Sequence, residues 1–203
     1  YALYQKAFVL GLQKSYNEKI ETLNDLQTRF PKSDWNDDAL FEVGKAYIAL
    51  NKNDEAIASF EEISKKFPAS NPVVRKAQLQ IAMLQYNSGK VADATATYRK
   101  VAVSYPNTEE AATALSALES IMVDSNKVDE FNQLAQQLGK SSTTKEDSLQ
   151  YKAAEKIYFK NNYAEASTAL EKYLNMYPQG KYNALAQYYL ANSYYQQKKY
   201  TES

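Results

Sequence analysis

The stretch DDALFEVGKAYIALNKNDEAIASFEEISKKFP, Asp37 to Pro68, decides the fold. Leu40, Val43 and Tyr47 recur at helical spacing, and so do Ala56, Phe60 and Ile63. Each set makes one apolar face of a helix. Between them NKND, Asn51 to Asp54, carries the polar residues of a helix–helix turn. At Gly44 and Ala56 two backbones can approach closely, because a larger side chain would push the helices apart. Pro68 closes the second helix, since it has no N–H to donate and clashes with the preceding turn. The stretch predicts a hairpin of two helices.

The same signals return along the chain. Phe/Tyr–Pro occurs at Phe30–Pro31, Phe67–Pro68, Tyr105–Pro106 and Tyr177–Pro178. The first three prolines are 37 and 38 residues apart and the last gap is 72, two periods of the same length. Twelve residues before three of the prolines stands an alanine: Ala56, Ala94 and Ala166. Twenty-four before stands a small residue, Ala7, Gly44, Ala82 or Ala154, and eight before a bulky one, Leu23, Phe60, Tyr98 or Leu170. Four agreeing copies make the periodicity specific.

This pattern resembles the tetratricopeptide repeat, a helix–turn–helix unit of about 34 residues. The resemblance covers nearly the whole chain and implies an all-α fold, a right-handed superhelical solenoid of hairpins. One array over 1–203 is expected, with units at 1–31, 37–68, 75–106, 112–141, 147–178 and an incomplete one at 184–203. The fourth is degenerate: Glu119 holds the small position, Phe131 replaces the alanine and no proline closes it. KSSTTKED, Lys140 to Asp147, reads as a polar linker and helix start. KKYTES, Lys198 to Ser203, is expected to open a further second helix. An array cut there would leave an apolar helix face open, so the chain is read as part of a longer protein.

Composition narrows the chemistry. Lys plus Arg and Asp plus Glu number 24 each, so no net charge draws the chain to nucleic acid or anionic lipid. There is no Cys and no His, which removes thiolate nucleophiles, imidazole bases and the usual zinc ligands. No catalytic residue, cofactor or metal site is assigned. No apolar run is long enough to cross a bilayer. Acidic pairs such as Glu61–Glu62 and Glu109–Glu110 lack the spacing of a metal loop and read as solvated helix surface.

In such arrays the resemblance places the first helix of each hairpin on a concave side. Its turns between the packing residues would carry Tyr4 and Phe8, Phe41 and Lys45, Met83 and Tyr86, Tyr151, Glu155, Tyr158 and Phe159, then Tyr188, Asn192 and Tyr195. The degenerate unit offers only Ser116, Ser120 and Asp124. Phe41, Tyr86, Tyr151, Glu155, Tyr158, Tyr188, Asn192 and Tyr195 are the candidate partner-binding residues. Tyrosine offers rigid amphipathic contact area, but these rings could equally pack against neighbouring helices, and both readings stay open for Tyr86, Tyr151, Tyr158, Tyr188 and Tyr195. Tyr47, Tyr98, Tyr163 and Tyr194 stand at packing positions, and Trp35 is read as covering the end of the hairpin stack. The Lys/Asn/Arg clamp that some relatives use for acidic chaperone tails is absent: Phe41, Tyr151, Tyr189 and Gln80 hold those places.

FPKSDWNDDAL, FPASNPVVRKA, YPNTEEAATAL and YPQGKYNALAQYYLANSYY lengthen the period. They resemble bacterial cell-envelope tetratricopeptide proteins of the Tol–Pal-associated periplasmic and outer-membrane-assembly lipoprotein type. Gly180 and Thr108 depart from the serine of that motif. That resemblance implies a periplasmic or outer-membrane-associated setting, the alternative being cytoplasmic. The expected function is a non-enzymatic scaffold holding a peptide or helix of a protein partner in an aromatic groove. Glycan binding by the tyrosines, or a spacer that self-associates through the incomplete C-terminal hairpin, is the alternative.

Overall fold

The computed structural model describes residues 1–199, so the expected helix opening at Tyr200–Ser203 lies outside the described residues. Among the described residues there are eleven α-helices and no strand. They are α1 (Ala2–Leu12), α2 (Tyr16–Arg29), α3 (Asn36–Ala49), α4 (Asn53–Lys66), α5 (Pro72–Asn87), α6 (Val91–Ser104), α7 (Glu109–Asp124), α8 (Val128–Gln137), α9 (Thr143–Phe159), α10 (Tyr163–Met176) and α11 (Asn183–Gln196). The chain divides into two compact units, Tyr1–Leu115 and the segment from Ser116 on, with the division inside α7.

Each core is shared by three helices. In the first unit Ala7 of α1 and Ile20, Leu23 and Leu26 of α2 meet Ala39, Val43 and Ala46 of α3. Leu40 of α3 and Ala56, Phe60 and Ile63 of α4 likewise meet Val73, Val74, Ala77 and Ile81 of α5. The second unit repeats the arrangement: Ala154 and Ile157 of α9 and Ala166, Leu170 and Tyr173 of α10 pack with Ala186 of α11. In each of these three cores the hairpin is completed by the first helix of the hairpin after it. A helix of fourteen residues, such as α4, is marginal alone in water, so this packing supplies most of its stability.

The turn inside each hairpin has a fixed geometry. Lys14, Asn51, Gly89, Asn126, Asn161 and Lys198 all take positive φ, between 55° and 76°. Each stands seven residues after the small position of its unit. The next residue's N–H returns to a carbonyl five back, as in Ser15 to Leu10, Lys52 to Tyr47 and Lys90 to Gln85, each 2.9 Å. This satisfies carbonyls that a helix end leaves open. Asn126 keeps the turn in the fourth hairpin, where the side-chain pattern has lapsed. There Glu119 pairs with Lys145 at 2.7 Å, and the Lys145 ammonium lies 5.6 Å from the centre of the buried Phe131 ring.

A polar bond ties successive hairpins together. Asp37, Arg75 and Asp147 occupy one repeat position, seven residues before Gly44, Ala82 and Ala154. Each reaches the approach to, or first turn of, the next first helix. Asn71 Nδ2 donates to Asp37 (2.8 Å), Arg75 Nε to Glu110 (2.9 Å), and the Lys181 N–H to Asp147 (2.9 Å). Asn71 also caps α5 by accepting the Val73 N–H at 2.8 Å, with Pro72 opening that helix.

The space at Gly44, expected to let two backbones approach, is taken by the Phe60 ring. A Cβ on Gly44 would lie 2.5 to 2.9 Å from the Phe60 ring, which is fully buried and packs 5.4 Å from Phe41. Gly44→Ala is therefore expected to destabilise by about 1–3 kcal/mol through overpacking, although alanine in a helix interior otherwise gains up to about 1 kcal/mol over glycine. Urea unfolding checks this, and Phe60→Leu in the Gly44→Ala background recovers part of the loss if the clash is its source.

Candidate aromatic binding surface

The second unit gathers most of the candidate residues, and its construction starts from one carboxylate. Asp147, buried near the start of α9, accepts the Tyr173 hydroxyl at 2.7 Å as well as the Lys181 N–H. The Tyr173 oxygen in turn accepts the Tyr182 N–H at 3.1 Å. Gly180 leaves the space: a Cβ there would lie 2.5 Å from the Tyr173 oxygen and 2.9 Å from Tyr177. The chain entering α11 is fixed by these bonds, and Tyr182 is set flat on Tyr151, with ring centres 4.4 Å apart and planes 5° from parallel.

That stack decides the fate of Tyr151. It is 3% exposed, packs edge-on to Tyr173 at 5.6 Å and donates its hydroxyl to Glu155 at 2.7 Å. Of the two readings open for this ring the structure takes packing, so Tyr151 is corrected from a partner-facing residue to a core one. Its half-buried neighbour Glu155 is engaged by that phenol. Phe41 is half-buried against Phe60 in the first unit, where Tyr86 is exposed.

Tyr158, Tyr188, Asn192 and Tyr195 lie toward the surface. Tyr158 is half-buried, stacked on Tyr189 at 4.5 Å and edge-on to Phe159 and Tyr163 at 5.4 and 5.7 Å. Tyr189 also touches Phe159 and Tyr188, both at 5.6 Å. Phe159, Tyr188 and Tyr195 are each more than half exposed, and Asn192 is half-buried. The result is a continuous cluster of five rings across α9, α10 and α11, with Tyr189 at its centre. Sequence reading did not select Tyr189 as a contact residue, because it stands one place off the expected face and lines up with Lys152 of α9. The adjacent Tyr–Tyr pair was the available signal.

Other aromatic expectations divide similarly. Tyr98 is buried, and Tyr47, Tyr163 and Tyr194 are half-buried, as packing residues. Trp35 sits at the N-terminus of α3 with Tyr4 at 4.9 Å and Tyr1 at 5.6 Å, covering α1. Phe8 and Met83 are exposed, and Asp124 is paired with Lys156.

Charge at this surface belongs to α9 and its end, through Lys152, Glu155, Lys156 and Lys160. Burial first, and then neighbouring phenols, push the Tyr158 hydroxyl above its ordinary value. Burial, then the hydrogen bond to Asp147, push Tyr173 up to about 12. Helix α11 contains no Asp, Glu, Lys or Arg between Asn183 and Gln196. Among the described residues no cluster of acidic side chains is placed to hold a metal ion, and no helix is long and apolar enough to cross a membrane. The cluster can offer ring faces, phenol hydroxyls and the Asn192 amide, which suits contact rather than proton transfer.

Comparison with known sequences places these hairpins. Two sequence models of the tetratricopeptide repeat match the chain, one at residues 1–33, 38–70 and 76–108 and the other at 151–203. The chain belongs to the tetratricopeptide repeat family. The matched residues leave out 109–150, which contains the hairpin with Glu119 and Phe131 at the departed positions. Among solved structures, a tetratricopeptide repeat protein from Parabacteroides merdae is similar with a TM-score of 0.58 at 16% identity, over 98% of this chain and 73% of that one. The nearly identical TPR-like repeats of a Podosopora anserina protein are similar at 0.51 and 16% identity, over 85% and 92% of the two chains. The C-terminal part of a TPR repeat-containing protein from Cytophaga hutchinsonii is similar at 0.51 and 18% identity, over 98% and 73%. At these identities the likeness is one of fold, and it agrees with the all-α solenoid class expected from the repeat. No curated protein matches the sequence.

Within this tetratricopeptide chain the Asp147–Tyr173 bond holds the entry to α11. Tyr173→Phe leaves Asp147 and the Tyr182 N–H each short of a partner, an expected loss of about 1–2 kcal/mol. Because the folded pKa of Tyr173 lies above the free value of 10.0, its contribution is complete below pH 10 and is lost as the pH rises toward 12. The stability difference between the parent chain and Tyr173→Phe, measured by denaturant unfolding, is expected to be constant through neutral pH and to shrink in that alkaline window.

Proposed function

We propose that the chain is a non-catalytic scaffold whose second unit holds a peptide or helix segment of a partner protein on the ring cluster of α9 and α11. The observation that carries this reading is the exposure of Phe159 and Tyr188 against Tyr158 and Tyr189, with Tyr195 also exposed on α11, a helix without charge. Large amphipathic rings at the surface are the residue type that dominates protein interfaces. Membership of the tetratricopeptide repeat family supports protein partners as the ligand class. A periplasmic or outer-membrane-associated setting is part of the proposal and rests on the likeness of Tyr177–Tyr195 to envelope members of the family.

The test is affinity capture from a bacterial envelope extract with the chain and with Tyr158→Ser/Tyr188→Ser, the two matched for helicity by circular dichroism. A partner retained by the parent and reduced at least about tenfold on the variant, a change of roughly 1.4 kcal/mol, is the expected result. Equal retention at full helicity removes the ring cluster from the function.

A further inference from the structure

A groove of about 540 Å³ runs between two second helices of the first unit, α2 and α4, with Leu40, Val43 and Tyr47 of α3 as its floor. Its volume is in the range of ligand pockets, and it lies between complete hairpins, with α1 and α5 on either side. Nothing joins its walls: among the described residues no hydrogen bond or ion pair runs from α2 to α4. Elsewhere such contacts are made. In the hairpin after it, Gln85 and Thr97 stand at the places of Tyr47 and Ser59 and bond to each other at 2.8 Å. In the second unit Lys172, at the place of Glu62, reaches from α10 to Asp129 of α8. Here Ser59 donates instead to the Leu40 carbonyl at 3.1 Å, and Glu62 pairs with Lys66 of its own helix at 2.6 Å.

The groups left free in the groove differ from end to end. Helices α3 and α4 meet at the turn where the Lys52 N–H bonds to the Tyr47 carbonyl at 2.9 Å, so Tyr47 and Glu55 stand at the same end. Tyr47 packs against both cores of the unit, which fixes its ring, and its hydroxyl has no partner among the described residues. Glu55 is exposed and has no ion pair among the described residues. At the other end Lys66, eleven residues along α4 and so about 16 Å away, balances Glu62. The Glu55 end is therefore negative. A fixed ring and a free carboxylate suit a guanidinium, which stacks on aromatic faces and pairs with carboxylates. On the α2 wall, Asn24 and Gln27 offer uncharged amides. Such amides answer the open N–H and C=O groups of an extended backbone, which a helix satisfies within itself.

We propose that the α2–α4 groove binds an extended segment of a partner protein, with an arginine placed at Tyr47 and Glu55 and the backbone running along Asn24 and Gln27. Charge complementarity at the Glu55 end selects the occupant, and the amide wall selects its extended form. The site is in the other unit from the ring cluster and stands or falls independently of it.

The probe is the blocked pentapeptide acetyl-Ala-Thr-Arg-Thr-Ala-amide, titrated into the isotope-labelled whole chain and followed by heteronuclear NMR. Saturable shifts are expected at the Asn24 and Gln27 side-chain amides and at the Glu55 backbone, and none on α9 or α11. The apparent Kd should rise at least about tenfold with Glu55→Gln in the chain, and as much with glutamine in place of the peptide's arginine. Asn24→Ala/Gln27→Ala should raise it at least about threefold. Asp54→Asn, next to Glu55 but outside the groove, should leave it within about twofold, since an exposed charge beyond the site contributes little. The altered side chains are exposed or half-buried, and an unchanged amide spectrum away from the groove confirms that each variant folds. Absence of saturable shifts, or equal binding to the parent and Glu55→Gln, overturns the proposal. Equal weakening by Asp54→Asn overturns it in favour of general charge attraction. Equal binding of a lysine peptide removes the arginine assignment, and unchanged binding to Asn24→Ala/Gln27→Ala removes the extended backbone.

Discussion

In the three cores described, packing within a hairpin leaves apolar surface that only the first helix of the next hairpin covers. Leu23 and Leu26 of α2 are closed over by Ala39 and Val43 of α3, and Phe60 and Ile63 of α4 by Val73, Val74 and Ala77 of α5. Tyr173 of α10 is closed over by the chain that enters α11. The remaining features follow from this dependence. Residues at the crossing must be small, hence Gly44 under Phe60 and the buried alanines Ala56, Ala94 and Ala166. The link between hairpins must be held, hence the bonds from Asp37, Arg75 and Asp147. Stability then resides in neighbour-to-neighbour terms rather than in one central core.

The sequence made the parts of this scheme that depend on side-chain size legible. Aromatic–proline pairs, the small residue twenty-four places earlier and the alanine twelve places earlier placed the hairpins, because volume at a crossing leaves few choices. The closing turn was legible only as a polar stretch. Its left-handed residue is Lys, Asn or Gly in different hairpins, since the geometry is imposed by the backbone bonds and several residue types tolerate it. Registering on the small position recovers it even where that position holds Glu119. The bond between hairpins was hidden for another reason. It pairs Asp with Asn, Arg with Glu and Asp with a backbone N–H, so what recurs is complementarity across 34 or 35 residues and not a residue type.

The binding surface was less legible, for a physical reason that Tyr151 and Tyr188 make plain. They are the same residue at the same repeat position, and one is 3% and the other 62% exposed. Composition and spacing cannot separate them, because burial is conferred by the neighbouring helix and not by the residue. Tyr182 covers Tyr151 through bonds that begin at Asp147 and run through the Tyr173 hydroxyl. Those bonds involve an acidic residue and a phenol 26 positions apart, which no local pattern announces. Tyr189 was passed over for the related reason that its role depends on facing Tyr158 across two helices.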